Sequence, residues 1–253
     1  MSGAASQRTV TCRDVSHVLL DIEGTTCPVS FVAEVLFPYA AAQLQTYLAG
    51  HGQEPGVREL LEEAAEDWAR DQDPAAQQLR RRSAAAVHDY LRLLIRQDRK
   101  LTPLKQLQGL IWEHGYATGV LRAPLFEDVP PALQRWRQQG LILAVYSSGS
   151  VQAQQLLYGH SSGGDLRSCF SHWFDTRCGP KRDPDSYRSI AAAMVARCAK
   201  VLFVSDALEE CLAAREAGLQ VVFSSRAGNP GRDPGPFACV ENYADLTILA
   251  AQA

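Results

Sequence analysis

The sequence predicts an α/β protein in which a parallel, helix-flanked sheet is interrupted early by an all-helical insertion. Three observations carry this reading. Short apolar runs stop abruptly on polar residues; such runs alternate with helical patterns after Pro124; and nothing strand-like stands out between 31 and about 122. Apolar runs without polar alternation fit strands buried on both faces. Strands alternating with helices imply crossover connections and a parallel sheet. At 253 residues the chain can bury a sizeable core, as one large domain or as one domain with an insertion.

The first strand is Val18-Leu19-Leu20-Asp21-Ile22, followed by Glu23 and Gly24. Helix formers with apolar residues at helical spacing then fill 34–48, 57–70 and 74–97, so 31–122 reads as a helical insertion of domain size. Beyond it the pattern predicts helices at 130–139, 151–157, 185–197 and 207–217. Strands are predicted at 141–146, 172–174, 201–205 and 219–223. A last helix is expected near Leu246, after a segment containing Pro230, Pro234 and Pro236 that should wrap the surface. The resulting division is a core of 16–30 and 123–253, an insertion of 31–122 and a flexible terminus of 1–15.

In open parallel sheets ligands sit beyond the carboxyl ends of the strands. Three strands here deliver polar residues to that edge: Asp21 and Glu23 after the first, Ser147, Ser148, Gly149 and Ser150 after the second, and Asp206 after a later one, with Glu210 one helical turn further. Lys181 lies between the last two, in the loop Cys178-Gly179-Pro180-Lys181. Singly, each has an ordinary structural use. Ser150 and Asp206 are natural helix N-caps, and a lysine in a Gly-Pro loop is commonly solvated. It is the ordered set that points to chemistry.

Composition narrows the function classes. Hydrophobic residues at 46% and charged residues at 21% are those of an ordinary globular chain, and a net charge of -3 gives no electrostatic case for nucleic acid or an anionic membrane. No apolar run approaches the ~20 residues of a spanning helix. Seven cysteines without a C-x-x-C pair suggest reduced thiols rather than a disulfide framework or a zinc site. Because no secretory h-region precedes Arg13, a cytoplasmic location is expected, with the nucleus also open if the source is eukaryotic; the lack of acids before Asp14 keeps a transit-peptide reading beside it. Without a coiled-coil pattern or long apolar stripe, the expected state is a monomer.

Within the insertion, charge is divided. Glu54, Glu59, Glu62, Glu63, Glu66, Asp67, Asp71 and Asp73 precede a basic stretch of Arg80, Arg81, Arg82, Arg92, Arg96, Arg99 and Lys100. Two complementary solvated faces explain this. A second reading makes Arg99, Lys100 or Lys105 a clamp on an anionic substrate.

The ordered Asp, Ser, Lys and Asp resemble the haloacid dehalogenase superfamily, and the helical insertion after the first motif lies where that superfamily carries a cap. The fold class implied is an α/β, parallel-sheet Rossmann-like core of the haloacid dehalogenase type with an inserted all-helical cap domain. More narrowly, Asp21-Ile22-Glu23-Gly24-Thr25-Thr26 is similar to the enolase-phosphatases of methionine salvage. So are Phe37-Pro38-Tyr39, Asp98-Arg99-Lys100, Leu104-Lys105-Gln106-Leu107-Gln108-Gly109, Tyr146-Ser147-Ser148-Gly149-Ser150, Gly159-His160-Ser161 and Phe174-Asp175-Thr176. The chain departs from that family's pattern at Cys27, where threonine is expected, and at Pro180, where histidine is expected; neither is a catalytic position.

The resemblance implies a phosphorylated diketone as substrate and Mg²⁺ as cofactor. Asp21 becomes the nucleophile, and Glu23 a general acid and base. Ser147, Ser148, Gly149 and Lys181 would bind the phosphoryl group, with Arg99 and Lys100 as further substrate contacts. Asp21, Asp206 and the main-chain carbonyl of Glu23 become the metal ligands. Two alternatives stand beside this reading: another phosphatase of the superfamily, disfavoured by glutamate at 23, and a binding protein on an inactive phosphatase fold, disfavoured because Asp21, Ser147, Lys181 and Asp206 are all present.

Overall fold

The computed structural model describes residues 9–82, 86–97 and 99–251. The chain opens with strand β1 (Val10–Val15) and continues into β2 (His17–Leu20). After a π-helical turn at Phe31–Leu36 come helices α1 (Phe37–His51), α2 (Pro55–Arg70), α3 (Pro74–Arg80), α4 (Val87–Arg96) and α5 (Thr102–Ala117). The α/β alternation then runs α6 (Val129–Gln138), β3 (Ile142–Tyr146), α7 (Val151–Gly159), β4 (His172–Phe174), α8 (Pro184–Ala193), β5 (Val201–Ser205), α9 (Leu208–Glu216) and β6 (Gln220–Ser224). It closes with β7 (Ala238–Val240) and β8 (Leu246–Ala250). The chain divides into two compact units, the helical Val32–Leu121 and the α/β remainder of the described chain.

The main sheet is parallel throughout, in the order β4-β3-β2-β5-β6-β7. From β2 the chain builds outward to β3 and β4, then returns to the other side of β2 for β5, β6 and β7. The order reverses at β2, so the crevice beyond its carboxyl end is the switch point where such sheets bind ligands. Register aligns the three strand ends that matter, because Leu20 pairs with Val145 on one side and Val204 on the other. The Asp21 amide still donates to the Val204 carbonyl at 3.0 Å, extending the ladder one residue past the strand.

Burial on both faces explains the unbroken apolar runs. Leu19, Ala144, Tyr146, Val201 and Phe203 form one packed face with Tyr187, Ile190 and Ala191 of α8 and Ala213 and Ala214 of α9. Residues of opposite parity, Val18, Leu20, Leu143, Val145, Leu202 and Val204, are also fully buried. In the helical unit, Ala40, Leu44, Val57, Leu60, Trp68, Tyr90, Leu91, Leu107 and Ile111 make a separate core, with the Trp68 and Tyr90 rings stacked 5.3 Å apart. Prolines open its helices at Pro55 and Pro74, where the absent amide proton is not needed, and the Asp73 carboxylate caps α3 by accepting from the Ala76 amide.

Four elements differ from the sequence expectation. Residues 10–15, expected within a flexible terminus, form β1 and pair in parallel with β8, while residues 1–8 of that expectation lie outside the described residues. The segment at Leu246 is that partner strand rather than a helix. Leu246 and Ile248 are buried, Thr247 and Leu249 are not, and a period of two over five residues cannot complete a helical face. The Pro-containing tail contributes β7. The single helix expected over 74–97 is two, α3 and α4, with 83–85 outside the described residues.

Leu19 lies on the central strand and is fully buried. Truncating it to alanine is expected to lower unfolding stability by ~2–5 kcal/mol in urea titration; a loss under ~1 kcal/mol would show that β2 is not packed as described.

Candidate active site at the carboxyl end of the sheet

Asp21 is the first residue beyond β2 and is 5% exposed. Its Oδ1 accepts from Lys181 Nζ at 2.7 Å and from the Ile22 amide at 2.8 Å, and its Oδ2 accepts from Ser205 Oγ at 3.0 Å. Lys181 Nζ also pairs with Glu210 Oε2 at 2.7 Å, so one ammonium joins two carboxylates from different elements. Ser205 Oγ lies 3.3 Å from the same Glu210 oxygen and accepts from the Ala207 amide, which ties the end of β5 to the start of α9.

Lys181 owes its position to three consecutive carbonyls. Tyr146 Oη donates to the Gly179 carbonyl, Ser186 Oγ to that of Pro180 and Tyr187 Oη to that of Lys181, all at 2.7–2.9 Å. Gly179 has φ +129°, and a Cβ there would fall 2.2 Å from Ser186 Oγ, so this loop requires glycine. The ammonium also lies over the Tyr146 ring, 5.7 Å from its centroid.

The turn after Asp21 closes tightly, with the amides of Thr25, Thr26 and Cys27 all donating to the Ile22 carbonyl. Gly24 has φ +65°, and a Cβ there would stand 2.0 Å from Asp206 Oδ2. The missing side chain is therefore what lets the Asp206 carboxylate rest against this turn. Glu23 is half-buried beside it, and its charge, after burial, helps push the Cys27 thiol up to about 12.

Electrostatics mark this edge as short of positive charge. Burial, then the neighbouring Asp21 carboxylate, push Asp206 up to about 7, with Lys181 only partly opposing. The same causes push Glu210 up to about 7. Burial alone would lower Lys181, but the Asp21 and Glu210 carboxylates reverse this and hold it well above its ordinary value. Among the described residues, no three His, Cys, Asp or Glu side chains are gathered as a metal cage. The expected ligand set instead takes two carboxylates and a main-chain carbonyl. Carboxylate and carbonyl oxygens are hard donors, chemically suited to a small divalent cation in surroundings this rich in acids.

Ser147 is buried at the end of β3, its amide donating to the Phe174 carbonyl and its Oγ accepting from the Gly149 amide at 3.3 Å. Ser148 is exposed, and Ser150 caps α7 by accepting from the Ala153 amide. Gln154 Nε2 donates to the Gly149 and Phe174 carbonyls, both at 2.8 Å, which fixes this loop from beneath. In the helical unit Arg99 is engaged by Asp71 at 2.8 Å, the same carboxylate that accepts from Tyr90 Oη, whereas Lys100 is exposed.

Sequence reasoning placed Asp21, Lys181 and Asp206 at one sheet edge, and the structure brings them together. Glu210 was placed near this edge without a role, and Ser205 was not singled out. Glu210 stood four residues after Asp206, the spacing of one helix face, which was a readable signal; Ser205, a last strand residue, offered none.

Residues 15–218 match the family of haloacid dehalogenase-like hydrolases. The enolase-phosphatase E1 of Synechococcus sp. strain CC9902 is 45% identical over 239 residues, 92% of this chain and 98% of that protein. The enolase-phosphatase E1 of Synechococcus sp. strain RCC307 is 52% identical over 214 residues, 84% of this chain and 86% of that protein. Among solved structures, the UTR4 protein of Saccharomyces cerevisiae superposes with a TM-score of 0.74 at 32% identity, covering 90% of this chain and 98% of that one. CbbY of Rhodobacter sphaeroides, solved in complex with phosphate, shares the fold alone, with a TM-score of 0.55 at 18% identity.

The raised carboxyl of Asp206 gives a pH prediction. A group whose proton affinity rises on folding favours the folded state less as pH climbs from its ordinary value of 3.8 through about 7. With a chelator present, Asp206→Asn should gain thermal stability relative to the unsubstituted chain between pH 5 and pH 8. A pH-independent difference in melting temperature would contradict the repulsion described.

Proposed function

Because the chain belongs to the enolase-phosphatase family of the haloacid dehalogenase-like hydrolases, we propose that it converts 2,3-diketo-5-methylthiopentyl-1-phosphate to acireductone and phosphate, a step of methionine salvage. The observation that carries this reading is the constellation around Asp21: a buried carboxylate held by Lys181 and Ser205, with Asp206 packed against the Gly24 turn. Family membership selects the substrate; the constellation supplies the phosphoryl chemistry.

Phosphoryl transfer depends mainly on positioning and on charge stabilisation, and a covalent carboxyl-phosphate divides it into two easier steps. Asp21 attacks phosphorus and becomes the aspartyl-phosphate. Lys181 holds Asp21 before the reaction and offsets charge on the phosphoryl oxygens during it. Ser147 Oγ and the Ser148 and Gly149 amides, beside the start of α7, donate hydrogen bonds to those oxygens, the Gly149 amide exchanging its present bond to Ser147 Oγ for one to the phosphoryl group. Glu23 protonates the leaving oxygen and then takes a proton from the water that attacks the aspartyl-phosphate.

Mg²⁺ fits the oxygen donors of Asp21, Asp206 and the Glu23 carbonyl; when bound it would neutralise phosphoryl charge and favour the negative oxygen that develops on enolisation. Glu23 is our candidate for moving the enolisation proton. Arg99 and Lys100 stay as proposed substrate contacts, but Asp71 already offsets the Arg99 charge, which makes Lys100 the more available cation. No helix among the described residues is long and apolar enough to cross a membrane, and all seven cysteines are free. A cytoplasmic monomer is the state we propose, and sedimentation of the purified chain at dimer mass would refute the monomer.

Supplying the diketo phosphate and following enediol absorbance and free phosphate together tests the reading. Both signals should require Mg²⁺, and Asp21→Asn should lose phosphate release by at least ~10³-fold. Turnover of generic phosphate esters but not of this compound would keep the fold and reject the substrate. Glu23→Gln should slow enolisation; full-rate enolisation by that variant would assign the proton transfer to another residue.

A further inference from the structure

The segment after β6 grips the turn that follows the nucleophile. Residues Arg226, Ala227, Gly228 and Asn229 form a β-turn closed by the Asn229 amide donating to the Arg226 carbonyl at 3.2 Å, with Gly228 at φ +88° as a type II turn requires at its third position. Its two corner side chains reach two consecutive carbonyls some two hundred residues away in sequence. Asn229 Nδ2 donates to the Gly24 carbonyl at 2.8 Å, and Arg226 Nε to the Thr25 carbonyl at 3.3 Å. A second donor reaches each: Ser224 Oγ at 3.3 Å for Gly24 and Tyr243 Oη at 3.0 Å for Thr25.

These four donors immobilise the peptide planes on the carboxyl side of Gly24 and Thr25. On its amino side, Gly24 donates its amide to the Cys27 carbonyl at 2.8 Å. In a trans peptide the carbonyl points opposite to the amide hydrogen, so this bond also sets the direction of the Glu23 carbonyl. Glu23 thus leads into a residue whose flanking planes are both held, in a left-handed conformation that glycine adopts at least cost. The Asn229 amide also crowds the position a Gly24 Cβ would occupy, at 2.9 Å, as the Asp206 carboxylate does at 2.0 Å.

Arg226 is itself over-determined. It is 3% exposed, donates to both Asp128 oxygens and to the Glu241 carbonyl, and its guanidinium lies between the Phe126 and Tyr243 rings at 4.7 and 4.3 Å. Asp128 in turn accepts from the Tyr243 amide. A grip built this rigidly exceeds what a surface turn needs.

We propose that Arg226 and Asn229 are positioning residues for Glu23, acting through the Gly24 and Thr25 carbonyls to set its carboxyl against Asp21. The inference rests on the acid and base role assigned to Glu23 above. A carboxyl that must first donate and then accept a proton tolerates little displacement, and an error of about 1 Å can reduce turnover by up to about a hundredfold.

The test is a double-mutant cycle in the full-length, Mg²⁺-loaded enzyme. Asn229→Ala should lower kcat about tenfold and leave KM within about twofold. In a Glu23→Gln background the same substitution should cost less than about twofold, because the group it positions has been removed. Equal losses in both backgrounds, or a lowered melting temperature with kcat per folded molecule unchanged, would overturn the proposal. If Asn229→Ala does not fold, Ser224→Ala, which removes the longer bond to the same carbonyl, enters the same cycle and must show the same non-additivity on a smaller scale; additivity there overturns it equally. Should Glu23→Gln alone keep full turnover, the role of Glu23 falls and this inference with it. Should Glu23→Gln be impaired while Asn229→Ala is not, the inference alone falls.

Discussion

One ammonium holds this site together. Lys181 Nζ stands 2.7 Å from both Asp21 Oδ1 and Glu210 Oε2, and burial, followed by the Asp21 carboxylate, pushes the Asp206 carboxyl up to about 7. Asp21, Asp206 and Glu210 thus share one lysine, and Asp206 and Glu210 hold protons more tightly than ordinary carboxyls do. The arrangement persists because its members sit on elements that cannot relax away from one another: Asp21 and Ser205 on adjacent strands in fixed register, Lys181 on a loop whose three carbonyls are each hydrogen-bonded, and Glu210 on the first turn of α9. This crowding of acids around one lysine is then a property of the scaffold, which is how electrostatic preorganisation for an incoming cation and phosphoryl group is built.

Positioning works at two scales. The parallel sheet sets the coarse geometry, because strand order reverses at β2 and three strand ends reach one level. Loops then need finer control, and at two places consecutive carbonyls are captured by side chains. Around Lys181 the donors are Tyr146, Ser186 and Tyr187; around Gly24 they are Ser224, Arg226, Asn229 and Tyr243. Both captured loops contain a glycine at positive φ whose Cβ would collide with a polar side chain, Ser186 Oγ in one and Asp206 Oδ2 in the other. Backbone otherwise free to move is converted into part of the framework.

The strand-end residues were legible in the sequence because an apolar run that stops on Asp, Ser or Asp carries its own punctuation. Asp21, Ser147 and Asp206 therefore emerged from pattern alone, and Lys181 from its place among them. Arg226, Asn229 and Tyr243 did not, since their partners are main-chain carbonyls, and a carbonyl has no residue identity to read. Charge segregation in the insertion was legible as complementarity, of which the Arg99–Asp71 pair is an instance. Strands β1 and β8 carry no complete local signal, because each is short and partly exposed and, among the described residues, finds its ladder partner only in the other.

The most direct test of this organisation is chemical trapping at Asp21. Enzyme mixed with radiolabelled diketo phosphate and Mg²⁺, quenched in acid within the first turnover and digested, should carry the label on the peptide containing Asp21, and Asp21→Asn should carry none. Phosphate release at the full rate with no label on that peptide at any quench time would contradict the assignment of Asp21 as the nucleophile held by Lys181.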